Sequence, residues 1–153
     1  MSDSLHPKAN AEVMHHDRPF VSEIPRIRKF VEKEGLVGLA NDTKWNELIS
    51  WARHLQDEGW SPAFRYSCID SDYISGWDGE WYHHLPYPMI SVNWIDLTFL
   101  EEVYVARLLP SKVINHREEL ENKLRDIRFD YVVGEKTIRV FGYAPRVREY
   151  FEN

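Results

Sequence analysis

The chain has 153 residues and is 43% hydrophobic, 14% aromatic and 29% charged, a size and balance that suit one globular domain and exclude collagen-like, low-complexity and wholly disordered chains. Its 19 lysines and arginines against 25 aspartates and glutamates leave a net charge of -6, which argues against a protein that must neutralise the phosphates of duplex nucleic acid. The single cysteine, Cys68, excludes an internal disulfide and any two-cysteine metal motif and suits a reducing cytoplasm, and no apolar run is long enough to span a membrane.

Residues 1–20 carry His6, His15, His16, Pro7 and Pro19 without a hydrophobic period or the apolar stretch of a secretory signal. They are expected to form a mobile tail, leaving 21–153 as a single α+β domain. Ser22 is placed to cap a helix in which Ile24, Ile27 and Val31 share a face, with Pro25 in the first turn and Gly35 as the stop. A second helix opens with Asp42 as its cap, buries Trp45, Leu48, Ile49, Ala52 and Leu55 along one stripe, and ends at Gly59.

After Ser61-Pro62 the period falls to two, and Phe64, Tyr66 and Cys68 alternate with Arg65 and Ser67 as a half-buried strand does. Residues 76–79 have turn chemistry, 80–84 read as a second strand before Pro86 and Pro88, and 89–97 as a third, with Ile90, Val92 and Trp94 on one face. These three strands would form a β-meander. Residues 98–106 read as a short helix, because Phe99, Val103 and Ala106 recur at helical spacing. Asn115 and Glu118 have the spacing of a capping box before a helix with Leu120, Leu124 and Ile127 on its buried face. Finally 129–133 and 137–143 flank Gly134-Glu135-Lys136 as a hairpin. The expected fold is α+β: an antiparallel sheet of about four or five strands with helices packed on one face and the other face partly open.

Charge is unevenly placed. Residues 66–106 hold no lysine or arginine but seven acids, namely Asp70, Asp72, Asp78, Glu80, Asp96, Glu101 and Glu102, so this segment carries -7 while the other 112 residues sum to +1. Nine of the 21 aromatic residues lie there as well. Acids steer an encounter with a basic protein, and tryptophan and tyrosine supply rigid contact area. The expected partner is therefore a basic protein, met by Asp72, Trp77, Asp78, Glu80, Trp81 and Tyr82. Against this stands the plainer reading, in which the rings fill a core and the acids are merely solvated.

Other chemistry has weaker support. Asp78, Glu80, His83 and His84 are enough ligands for zinc or a related ion, which makes a metal-dependent hydrolase the alternative function, although adjacent histidines on a strand point to opposite faces. Asp70 and Asp72 could share acid and base work, and Cys68 could act as a nucleophile, yet an acidic loop and a small buried hydrophobe look the same. Arg139, Arg146 and Arg148 with Tyr143 could touch a single nucleic-acid strand. No glycine-rich phosphate loop is present, and no cofactor is implied.

The string Ser75-Gly76-Trp77-Asp78-Gly79-Glu80-Trp81-Tyr82-His83-His84-Leu85-Pro86, followed by Val92-Asn93-Trp94-Ile95-Asp96 and by Ile138-Arg139-Val140-Phe141-Gly142-Tyr143, resembles an uncharacterised family of small bacterial proteins over residues 43–143. That family brings no activity and no catalytic residue with it. As a type, a small, acidic, aromatic-rich, cysteine-poor α+β chain is also similar to the immunity proteins that neutralise toxins in bacterial competition. The expectation is a non-enzymatic inhibitor of a basic, nuclease-like toxin; self-association through the same aromatic patch is a third reading.

Overall fold

A computed structural model describes residues 23–152; the tail expected at 1–20 lies outside them. Helix α1 (Ile24–Glu34) takes Pro25 in its first turn and stops at Gly35, whose φ of 67° is the left-handed conformation that glycine adopts without strain. A short strand β1 (Val37–Gly38) leads into α2 (Asp42–Asp57). The cap of α2 is Asn41, whose side chain accepts the Lys44 amide at 2.9 Å. Asp42, expected in that role, is the first helical residue, where its charge still complements the helix dipole.

Strand β2 (Phe64–Cys68) pairs with β3 (Val92–Thr98), which a single 3-10 turn at Met89–Ser91 precedes. The ribbon β4 (Leu100–Val103) and β5 (Lys112–Asn115) follows, then α3 (Arg117–Ile127), the hairpin β6 (Tyr131–Val133) and β7 (Thr137–Phe141), and β8 (Tyr143–Ala144), which pairs with β1. The main sheet is antiparallel in the order β2-β3-β7-β6. The fold class is α+β, as the order of elements implied.

Three local expectations are corrected. Residues 80–84 form turns, so β2 pairs directly with β3 and no meander exists. The expected helix at 98–106 contains β4, because Leu100 to Val103 find their backbone partners across the ribbon in Asn115 to Lys112. The capping box does not form: Asn115 Oδ1 accepts the Arg117 amide at 2.8 Å, and the position before α3 is His116, which gives no side-chain cap.

The core lies between the sheet and the helices. Trp45, Leu48, Ile49 and Ala52 of α2 and Leu120, Leu124 and Ile127 of α3 meet Phe64, Ile95, Leu97, Ile138 and Val140 of the sheet. The other face was expected to be partly open; it is sealed. Arg65, Asp96 and Arg139 are cross-strand neighbours on β2, β3 and β7. Arg139 clamps the Asp96 carboxylate through Nε at 2.7 Å and Nη2 at 3.0 Å, and Arg65 Nη2 reaches it at 2.9 Å. The same guanidinium groups hold the C-terminal segment by its carbonyls: Arg139 Nη1 donates to Val147 and Glu149, and Arg65 Nη2 to Tyr150. Glu152 completes the seal by accepting the amides of Glu135, Lys136 and Thr137 and the Thr137 hydroxyl at 2.8 to 3.0 Å.

Candidate functional site

The sequence places its candidate residues between β2 and β3, and the structure shows how that excursion is built. Its first part doubles back along the free edge of β2. The Ser75 and Asp78 amides donate to the carbonyls of Tyr66 and Phe64, and the Phe64 amide donates to the Asp78 carbonyl at 2.8 Å. The Ser75 hydroxyl accepts the Tyr66 amide at 2.9 Å. The edge of the main sheet is therefore covered by this loop.

The second part is a turn locked by its own acids. Asp78 Oδ1 accepts the Glu80 amide at 2.8 Å, and Glu80 Oε1 accepts the amides of Tyr82, His83 and His84 at 2.8, 2.6 and 3.3 Å. Burial pushes the Glu80 carboxyl up, but these amides and the His83 ring outweigh it and bring the group down to about 2. The Glu80 amide, with help from His84, likewise holds the Asp78 carboxyl below its ordinary range. Both acids are thus ionised at neutral pH. Each is also matched to one imidazole, Asp78 Oδ2 to His84 Nδ1 at 2.7 Å and Glu80 Oε2 to His83 Nδ1 at 3.2 Å.

The turn is pegged to the body at its centre. The Trp81 ring is wholly buried, 4.8 Å from the Phe64 ring centroid, and its indole N–H donates to the Pro62 carbonyl at 2.9 Å. Arg53 of α2 donates to the carbonyls of Trp81 at 2.9 Å and Tyr82 at 3.3 Å, while its guanidinium lies 4.3 Å over the Tyr82 ring. Trp81 is therefore an anchor of the fold and leaves the set of contact residues.

The remaining candidates reach water. Asp72 is exposed, Trp77 is 45% and Tyr82 39% exposed, and the side chains of Asp78 and Glu80 are about one third exposed. Tyr73, which sequence reasoning passed over, is 64% exposed; its position beside Asp72 in a stretch of turn residues was the signal for it. Trp77 stacks on Arg65, 5.0 Å from the guanidinium, on the side of the sheet that the C-terminal segment covers.

The base-free segment is consequently divided. Trp81, Trp94 and Phe99 point inward, Tyr66 and Tyr87 are half-buried, and Tyr73, Trp77, Tyr82 and Tyr104 are exposed. Among its acids, Asp96 is buried between two arginines, Asp70 meets Arg26 at 3.0 Å, and Glu101 meets His116 at 2.7 Å. Asp72, Asp78 and Glu80 are the acids that the loop itself brings to the surface.

The other chemical readings find less in the geometry. Among the described residues no three histidine, cysteine or acidic side chains are grouped to hold a metal ion. Asp70, spent on Arg26, is not poised with Asp72. Burial pushes the Cys68 thiol up, away from the thiolate a nucleophile needs. Arg139 is fully buried, Arg146 lies 4.7 Å from the Phe141 ring centroid, and the Tyr143 hydroxyl donates to the Ile90 carbonyl, so they do not form a nucleic-acid surface. No described helix is long and apolar enough to cross a membrane.

No curated protein and no solved structure matches the chain. Residues 27–147, which include every element from the second turn of α1 to β8, match the family of unknown function DUF6678, and the chain belongs to that family.

Proposed function

We propose that this is a non-enzymatic binding protein, most concretely an immunity-type inhibitor that neutralises a basic, nuclease-like toxin through the loop at 72–84. The observation that carries the reading is the joint exposure of three acids, Asp72, Asp78 and Glu80, and three rings, Tyr73, Trp77 and Tyr82, on one excursion that Arg53 and Trp81 hold rigidly to the core. A toxin that cuts nucleic acid has a positive groove for phosphates. Carboxylates set at that groove compete for the same charges, and they also speed the encounter. Because the turn is already locked by the hydrogen bonds of Asp78 and Glu80, little conformational entropy remains to be lost on binding. The exposed rings then supply the contact area in which interface energy concentrates.

Coexpression tests this. A gene flanking this one is expected to encode a basic protein that arrests growth alone and is harmless beside this chain. Asp72→Lys with Tyr73→Ala alters two exposed side chains with no role in the core, and the arrest should return. Full protection by that variant would remove the loop from the mechanism, and flanking products that are all harmless would remove the inhibitor reading.

A further inference from the structure

The β4–β5 ribbon pairs with no other strand among the described residues. Residues directly across a ribbon share a face, so Glu102 and Val113 stand on its outer side, and alternation puts Tyr104 with them. Glu101, on the opposite side, turns toward the body and binds His116, whose ring stacks on Trp60 with centroids 3.9 Å apart. The ribbon is thereby fixed at its base, while none of the described residues covers its outer face and tip. Tyr104, Val105, Leu108, Leu109 and Val113 are 75, 55, 95, 60 and 55% exposed. Leu108 even adopts a φ of 71°, a conformation that disfavours its side chain, and still presents that side chain to water. Large apolar groups gathered in this way mark a contact surface.

We propose that this ribbon is a self-association surface, on which two copies pack antiparallel, outer face to outer face, about a twofold axis. Charge selects the arrangement. Each ribbon carries Glu102 on its stem and Arg107 in its tip. Antiparallel packing sets the tip of one copy against the stem of the other, so Arg107 meets Glu102 twice, whereas parallel packing would set like charges together. Area sets the scale of the contact. The five side chains expose roughly 400 Å² of apolar surface per copy, at the areas that go with hydrophobic transfer and aromatic burial. Two such faces with their polar rim come to about 1,000 Å², the least that a specific interface has to clear, so the contact proposed is a weak, reversible dimer. None of the residues at 72–84 is used, so the proposal stands apart from the inhibitor reading.

Sedimentation velocity of the full chain from about 1 to about 200 µM tests it. The expected result is a monomer that converts to a dimer across this range, while Leu108→Asp, fully exposed and so without effect on the thermal melt, stays monomeric. Arg107→Glu and Glu102→Arg should each weaken the dimer about tenfold, and the two together should restore it. A wild-type chain that stays monomeric throughout, or a double variant weaker than either single one, overturns the proposal. So does a monomeric chain that co-sediments with phosphatidylcholine and phosphatidylglycerol vesicles in a Leu108-dependent way, which would assign the tip to a lipid surface.

Discussion

Replacing Asp96 by asparagine removes one unit of negative charge and changes almost no volume, yet it should be among the most damaging single substitutions in the chain. Asp96 and Arg139 are both wholly buried, and the Arg65 side chain is 11% exposed. Two guanidinium groups share the one carboxylate, with Arg139 Nε on Oδ1 and Nη2 on Oδ2, and Arg65 on Oδ2. An amide can still accept at its oxygen, but its NH2 then faces a guanidinium donor. Breaking a buried ion pair from one side costs about 3–5 kcal/mol, because the surviving charge stays buried without compensation. For a domain of this size that corresponds to a fall in melting temperature of roughly 10–20 °C. Urea unfolding followed by tryptophan fluorescence measures it directly, since Trp94 lies 3.6 Å from the Arg139 guanidinium. A second signature is local. Arg139 Nη1 holds the carbonyls of Val147 and Glu149, so trypsin should cleave after Arg146 or Arg148 sooner in the variant. Arg139→Met should cost a similar amount, and the double variant less than the sum of the two. A loss below about 1 kcal/mol with an equally protected C-terminal segment would refute the account of the sealed face.

Trp81→Ala should destabilise by about 3–5 kcal/mol, through the cavity left against Phe64 and the orphaned Pro62 carbonyl, while a substitution at exposed Tyr73 stays within about 0.5 kcal/mol; equilibrium unfolding compares them. Glu80 has a folded-state pKa of about 2 against an ordinary 4.5, so its contribution is fully present above pH 4.5 and is lost as the pH falls toward 2. The urea midpoints of the wild type and Glu80→Gln should accordingly differ at pH 7 and approach each other as the pH falls from 4.5 to about 2. Gly134→Ala would set a methyl group onto the Glu152 carboxylate, which must then leave the amides of Glu135, Lys136 and Thr137; faster hydrogen exchange at these three amides, with the rest of β7 unchanged, is the expected result.

The elements that pack against the core were legible because burial imposes a period. The stripe of α2, the stripe of α3, the alternation in β2 and the hairpin around Gly134-Glu135-Lys136 all follow from that. The β4–β5 ribbon was not legible, since none of the described residues packs on its outer face and no alternation is enforced; Phe99, Val103 and Ala106 then fell at helical spacing by coincidence. In the GWDGEW string, composition could not say which ring faces in. Trp77 and Trp81 differ only in what the backbone does between them, and the Glu80 carboxylate turns the chain there. Asp96 was counted among surface acids because its partners lie 31 and 43 residues away, on strands whose adjacency is a property of the fold.

The inhibitor reading stands or falls on one kinetic quantity: the rate at which this chain associates with the basic protein it protects against, measured across ionic strength for the wild type and Asp72→Lys. Steering by the exposed acids predicts a wild-type rate that drops steeply as salt is added, and a variant about tenfold slower at low salt with a flatter dependence. A variant that associates as fast as the wild type at low salt would contradict it.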